Sequence, residues 1–263
     1  MSILRTPAGI LQDRRDKKVE GEAELIPVNR TDPADIFITG YPKSGNTWMQ
    51  NLIVGVAYSL DPEHLSDAEI LNLVPDVHAC HYYRRHRTPM YFKTHHLPRS
   101  EYRRIIYLLR DGRDVMVSYY HHLRALKGDD VDFLEIVRTG RHLSPSKWQD
   151  HVNAWRSNPF GAEILTVRYE DLLENPVNEL RRVCEFAGME RSPEVLKKVS
   201  RQSSFSTMRA KEMKTGWSNP AWPSSRFFVR RGQAGSFRDE MPEDVLSIFM
   251  AQAEDTLRAC NYL

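Results

Sequence analysis

The residues best placed to do chemistry begin with Gly40-Tyr41-Pro42-Lys43-Ser44-Gly45-Asn46-Thr47. An apolar run, Ile36-Phe37-Ile38-Thr39, leads into this segment, and a helical pattern from Thr47 to about Ser59 follows it. Strand, glycine-containing turn and helix in that order present several backbone N–H groups at a helix N-terminus, which suits a phosphate or another oxyanion. The spacing Gly40-x4-Gly45 with Thr47 is that of a P-loop. The lysine expected directly after the second glycine is Asn46, and the nearest cation is Lys43, three residues earlier. The loop therefore reads as a phosphate cradle with its cation displaced, or, at its plainest, as a tight strand–helix turn without a ligand.

Further polar groups close other apolar runs. Met90-Tyr91-Phe92-Lys93-Thr94 is followed by His95, and period-two alternation puts Lys93 and His95 on one face. Ile105 to Leu109 ends in Arg110, and Ile164 to Val167 ends in Arg168-Tyr169-Glu170-Asp171. Asp111 fits a helix N-cap with Asp114 as its partner three residues on, and Asp114 and Ser118 lie one turn apart. Cations at several strand ends suit an anion, and a histidine beside a lysine suits proton removal from a nucleophile next to a group carrying negative charge.

These groups converge only if the strands lie parallel with their carboxyl ends on one edge. Short β-rich runs alternating with helical patterns predict that arrangement: an α/β, three-layer P-loop-type fold with a central parallel sheet flanked by helices. Later helices are expected at Val177–Ala187, Pro193–Val199 and Glu243 to about Ala259. Residues 209–238 lack periodicity and read as a long loop, with a mobile lid near 209–236. There the adjacent cations Arg230 and Arg231 would have little to hold them until an anion arrives. Residues 1–34 read as a polar N-terminal arm, and 35–263 as one domain.

Composition narrows the partners. The chain has 263 residues, 41% of them hydrophobic, with 37 basic against 35 acidic side chains and a formal net charge of +2. That balance argues against a dedicated nucleic-acid binder, while local clusters such as Arg84-Arg85-His86-Arg87 fit a small anion or a solvated face. Cys80, Cys184 and Cys260 are odd in number and widely spaced, which argues against a disulfide framework or a cysteine zinc site. With no apolar leader and no membrane-length run, the expectation is a cytoplasmic protein without a membrane partner. His78, Cys80, His81 and His86 match no zinc spacing and read as solvated or pocket-lining.

Taken together, YPKSGNTW (41–48), FKTHHLP (92–98), LRDGRDVMVSYYHH (109–122), YEDL (169–172), SSF (203–205) and RRGQAG (230–235) resemble, in order, the motifs of the cytosolic sulfotransferase family. The resemblance spans roughly residues 35–240. It implies transfer of a sulfuryl group from 3′-phosphoadenosine-5′-phosphosulfate (PAPS) to a hydroxyl or amine of a small-molecule acceptor, leaving 3′-phosphoadenosine-5′-phosphate (PAP), with no metal required. Lys43 would meet the leaving group, and Ser44, Gly45, Asn46 and Thr47 would wrap the 5′-phosphate. Trp48 and Phe205 would hold adenine, with Tyr169 and Ser203 at its edge. Arg110, Ser118, Arg230, Arg231 and Gly232 would hold the 3′-phosphate. His95 would be the base, and Lys93 would stabilise the transferring group. His121 could face the acceptor, and His151 is a weaker candidate for its pocket.

The chain departs from the family where Gly235-Ser236-Phe237-Arg238 replaces the usual Gly-Asp-Trp-Lys. No dimer signature is recognisable after Arg238, which leaves the oligomeric state open. A P-loop kinase, disfavoured by Asn46, and a non-catalytic adenine-nucleotide-binding protein are the alternatives.

Overall fold

The computed structural model describes residues 24–263. Four parallel strands form its centre: Ile36–Gly40 (β2), Tyr91–Thr94 (β4), Arg104–Leu109 (β5) and Glu163–Arg168 (β6), in the spatial order β4-β2-β5-β6. The chain leaves β2 for β4 on one side and then returns to β5 on the other. The strand order thus reverses next to the carboxyl end of β2, where open sheets of this kind bind ligands.

Side-chain alternation divides the core into two layers. Phe37, Phe92, Ile105, Tyr107 and Leu109 join one apolar cluster, while Ile36, Ile38, Tyr91, Ile106, Leu108 and Val167 join the other. Every residue of β2 is buried. A strand covered on both faces must be apolar throughout, which is why it reads as a continuous hydrophobic run.

Asn46–Tyr58 (α1) packs on the second face and follows the P-loop directly. Gly112–Lys127 (α3) packs on the first, against Trp148–Ser157 (α5) and Glu243–Ala259 (α11). Asp67–Leu73 (α2) opens on a capping box made by Ser66 and Glu69. Phe133–Thr139 (α4), Tyr169–Glu174 (α6), Pro176–Phe186 (α7), Pro193–Gln202 (α8) and the short Phe237–Glu240 (α10) complete the helices, apart from one near the lid.

That remaining helix corrects the expectation for residues 209–238. Phe205–Thr215 (α9) is helical, with the Ser204 side chain accepting from Thr207 N–H at its start. Its periodicity is invisible because its buried residue is the charged Glu212. That carboxylate accepts from the N–H groups of Phe228 and Val229, tying the returning chain to the helix. Only residues 216–236 between them are irregular.

Two further expectations change. Residues 1–23 of the proposed arm lie outside the described residues, and Ile26–Pro27 (β1) pairs antiparallel with Tyr82–Tyr83 (β3). The basic run 84–87 is not merely a solvated face. Arg85 makes a two-pronged bond to the buried Asp35, at 2.9 and 2.7 Å, and Arg87 donates to Ala57 O. Asp35 also accepts from Met90 N–H at 2.8 Å, joining the entries to β2 and β4.

Asp35→Ala would take both charge-assisted bonds from Arg85, leaving it the Arg87 carbonyl and the Tyr83 hydroxyl, and would strand the Met90 N–H. We expect a loss of about 3 kcal/mol, the low end for breaking a buried pair because Arg85 keeps some access to water. Urea unfolding of the variant checks this value.

Candidate active site

The loop from β2 to α1 is held open by its own backbone. Lys43 takes a left-handed conformation, with φ of 74°, and Gly45 at the helix N-cap has φ of 99°. No side chain caps α1, so its first N–H groups are left for a ligand. A Cβ on Gly45 would lie 2.9 Å from the Tyr169 ring, so glycine is required for shape as well as for φ. Asn46, in the position of the usual P-loop lysine, turns inward and donates to Tyr41 O at 3.0 Å. Its side chain braces the loop and supplies no charge.

A cavity of about 570 Å³ opens over this loop. Of the residues assigned from sequence to the nucleotide and the transferring group, all but Ser44 and Ser203 line it: Lys43, Gly45, Asn46, Thr47, Trp48, Lys93, His95, Arg110, Ser118, Tyr169, Phe205, Arg230, Arg231 and Gly232. Ser44 and Ser203 are buried, and neither hydroxyl has a hydrogen-bond partner in the protein. Trp48 Nε1 and Arg110 Nε, on lining residues, are likewise buried and unpartnered. Each such group costs about 1–3 kcal/mol when left unpaired, so polar groups stranded around a cavity fit a polar ligand.

The cations are distributed with care. Arg110 stacks on Tyr169, 4.1 Å from the ring centroid, and donates to Lys43 O and Gln233 O at 3.1 and 3.2 Å. Lys43 Nζ lies 3.9 Å over the Phe228 ring, and Phe228 is stacked on Trp217. Lys93 Nζ pairs with Asp76 at 2.8 Å. Arg230 and Arg231 each donate to Glu240 at 2.6 Å, and His121 Nε2 meets the same carboxylate at 2.8 Å.

Glu240 overturns the expectation that the paired arginines lack a partner, and it gives His121 a role beside them. Asp114 is not the cap partner that its spacing suggests. It accepts from Gly235 N–H and Phe237 N–H at 2.6 and 2.9 Å, fastening the arginine loop to α3. His151 is fully buried against Tyr107 and lines none of the cavities around this site, so it is not an acceptor contact.

His95 has a defined tautomer. Its Nδ1 lies 2.9 Å from Gly40 O, and a carbonyl can only accept, so Nδ1 carries the proton and Nε2 keeps its lone pair. Burial, then Lys93, lowers its pKa to about 3, which keeps the ring neutral with the Nε2 lone pair free. Burial, then Lys93, Arg110 and Arg230, pulls Lys43 down to about 7.

Asp76, His78, His122, Trp217, Phe228 and Glu240 also belong to the site and its supports. His78 is pocket-lining, one of the two readings the sequence allows. His122 closes the 109–122 motif; the others carry no motif, and their place depends on contacts the sequence does not display.

A parallel sheet, a P-loop at the strand-order reversal and a cationic cavity holding a neutral histidine define an α/β protein that handles a phosphorylated nucleotide. The sulfotransferase domain family matches residues 33–260, and the chain belongs to it. Sulfotransferase 1E1 of Mus musculus is 26% identical, covering 96% of this chain and 92% of its own. Sulfotransferase 1B1 of Canis lupus familiaris is 30% identical, covering 79% and 78%. Among solved structures, retinol dehydratase with androsterone and PAP superposes with a TM-score of 0.67 at 22% identity, covering 87% of this chain and 82% of that one. Mouse sulfotransferase SULT7A1 with PAP gives 0.62 at 22%, covering 88% and 89%.

The protein is thus a PAPS-dependent sulfotransferase, with PAP as the product of sulfuryl transfer. Among the described residues no cluster of three or more His, Cys, Asp or Glu could hold a metal ion, and no helix is long and apolar enough to cross a membrane.

The pKa directions set a pH profile. His95 stays neutral well below pH 6.5, so kcat/KM for PAPS should show no limb at the usual imidazole value. It should fall above about pH 7, as free-enzyme Lys43 loses its proton. Bound anion favours the charged lysine, so the corresponding fall in kcat should come at higher pH. A pH–rate series separates the two limbs.

Proposed function

We propose that the cavity residues divide the reaction as follows. The backbone of Ser44 to Thr47 wraps the 5′-phosphate. Trp48 and Phe205 enclose adenine, with Tyr169 and Ser203 at its edge. Arg110, Ser118, Arg230, Arg231 and Gly232 take the 3′-phosphate. His95 Nε2 receives the proton of the acceptor hydroxyl as its oxygen forms a bond to sulfur. The bond from sulfur to the 5′-phosphate oxygen breaks, Lys43 meets the charge left on that oxygen, and Lys93 faces the transferring group. Positioning and charge carry such a transfer, as in phosphoryl chemistry.

The observation that carries this reading is the His95–Gly40 bond, which fixes Nδ1–H and leaves a basic nitrogen in a cavity also lined by Lys43 and Lys93. Gly232 supports the arginine placement: at φ of 62° it lies so near Phe205 that a Cβ would come within 2.2 Å of that ring. The acceptor is a small molecule with a hydroxyl or amine. The stacked Trp217–Phe228 pair and Met208 on the cavity wall favour one with an apolar, flat body. Retinol and androsterone, the compounds bound in the retinol dehydratase structures, have that character. The three free thiols accord with a reducing, cytoplasmic setting.

His95→Ala should lower kcat at least about 100-fold, the usual scale for a lost base. PAP affinity by calorimetry should stay within a few-fold, since the base acts on the acceptor. Mass-spectrometric screening of alcohols, phenols and amines with PAPS supplies the substrate. Near-normal turnover by the variant would remove His95 from the mechanism.

Residues 216–236, the irregular part of the 209–236 segment, act in this proposal as the lid of the cavity. The segment contributes Trp217, Asn219, Phe228 and Arg230 to its wall, yet Ser224, Ser225 and Phe227 stay exposed. Charge-assisted bonds from Arg230 and Arg231 to the nucleotide would offset the entropy of holding the segment down. Trypsin should therefore cut at Lys214, Arg226, Arg230 and Arg231 markedly more slowly when PAP is present. Equal rates with and without PAP would count against the lid.

A further inference from the structure

Asp76 belongs to no motif, yet it is tied to Lys93 through both backbone and side chain. Lys93 N–H donates to Pro75 O at 2.8 Å, and Val77 N–H donates to Lys93 O at 3.0 Å. This short parallel bridge sets residues 76 and 93 side by side at the edge of the sheet. Their side chains then meet, with Lys93 Nζ 2.8 Å from Asp76 Oδ2, each only 13% exposed. The second carboxylate oxygen accepts from His78 N–H at 2.9 Å, which fixes the orientation of the group. His78 Nε2 in turn accepts from His95 N–H at 2.9 Å.

We propose that Asp76 is a positioning residue for sulfuryl transfer, holding the Lys93 ammonium against the cavity beside His95. The inference rests on the role given above to Lys93. A lysine has a flexible four-carbon stem and three donors. One donor spent on Asp76 removes most of the stem's freedom, while the other two remain for oxygens of the transferring group. Asp76 also supplies negative charge where Lys43, Arg110 and Arg230 leave an excess of cations. One oxygen holds Lys93 Nζ and the other His78 N–H, so the carboxylate is oriented towards Lys93, through which it acts. The pair forms part of the wall between the main cavity and a second one of about 400 Å³ beneath α9. Lys93 is thus fixed where the two spaces meet.

The test is a double-mutant cycle between Asp76→Asn and Lys93→Met, read by kcat with the best acceptor of the screen and by slow hydrolysis of PAPS in its absence. Asp76→Asn alone should lower kcat by about 10–100-fold while PAP affinity stays within threefold, because PAP lacks the transferring group. Added to Lys93→Met, it should cost no more than about twofold, as expected when one residue works through the other. Asp76→Glu should recover at least part of the loss.

Full activity in Asp76→Asn would overturn the proposal, as would an undiminished cost in the Lys93→Met background. A loss of PAP affinity parallel to the loss of kcat would also overturn it, by marking Asp76 as a purely structural support. The double variant has no unpaired ammonium, so it reports even if the single one folds poorly. If Lys93→Met itself leaves kcat unchanged, the role of Lys93 fails; if only the cycle fails, that role stands and Asp76 does not.

Discussion

Concentrating positive charge around one cavity is the constraint on which the site depends. Lys43, Lys93, Arg110, Arg230 and Arg231 face the same space in a chain whose overall charge nearly cancels. Unscreened at close range, such charges repel strongly, and burial makes the repulsion worse. The structure answers with a partner for each, one of them shared: Phe228 under Lys43, Asp76 beside Lys93, Tyr169 under Arg110, and Glu240 between the two arginines. Two of these partners are aromatic faces, which attract a cation without adding a full negative charge that would oppose an incoming anion. The cavity therefore keeps a net attraction for a polyanion while remaining tolerable without one.

The fold decides where the charges go. Reversal of strand order beside β2 opens the crevice, and the P-loop fills its floor with N–H groups from α1. β4 and β5 then deliver Lys93, His95 and Arg110 to the same edge by simple extension. The arginine loop arrives from more than a hundred residues later and needs its own fastening. Asp114 supplies it by accepting two N–H groups from the far segment.

Much of this was legible in the sequence. The buried strands announce themselves as unbroken apolar runs, and the polar groups at their ends follow from strand direction alone. Period-two alternation sufficed to place Lys93 and His95 together, since adjacent residues of one face need no tertiary information. The supporting partners were not legible. Glu240, Glu212 and Asp114 look like ordinary helix carboxylates until the chain folds, because each meets backbone or cations outside its own helix. α9 escaped for a related reason: its inward residue is charged, so its pattern lacks the apolar stripe that identifies a packed helix.

The bridge between Asp76 and Lys93 separates two kinds of inheritance. The wall on the nucleotide side is braced to the sheet, to α1 and to α3, so a change there disturbs the strand ends and the loop geometry together. The chamber beneath α9 is walled by Ile70, Leu71, Ala79, Met208 and Trp217, side chains on peripheral helices and connecting segments. Ile70, Leu71 and Ala79 line this chamber and not the main cavity, so changing them alters its volume and shape without displacing a nucleotide contact. In the proposed reading, where the acceptor's apolar body lies against Met208 and Trp217, which also line this chamber, a lineage carrying this architecture can diversify what it sulfates while its donor chemistry stays fixed.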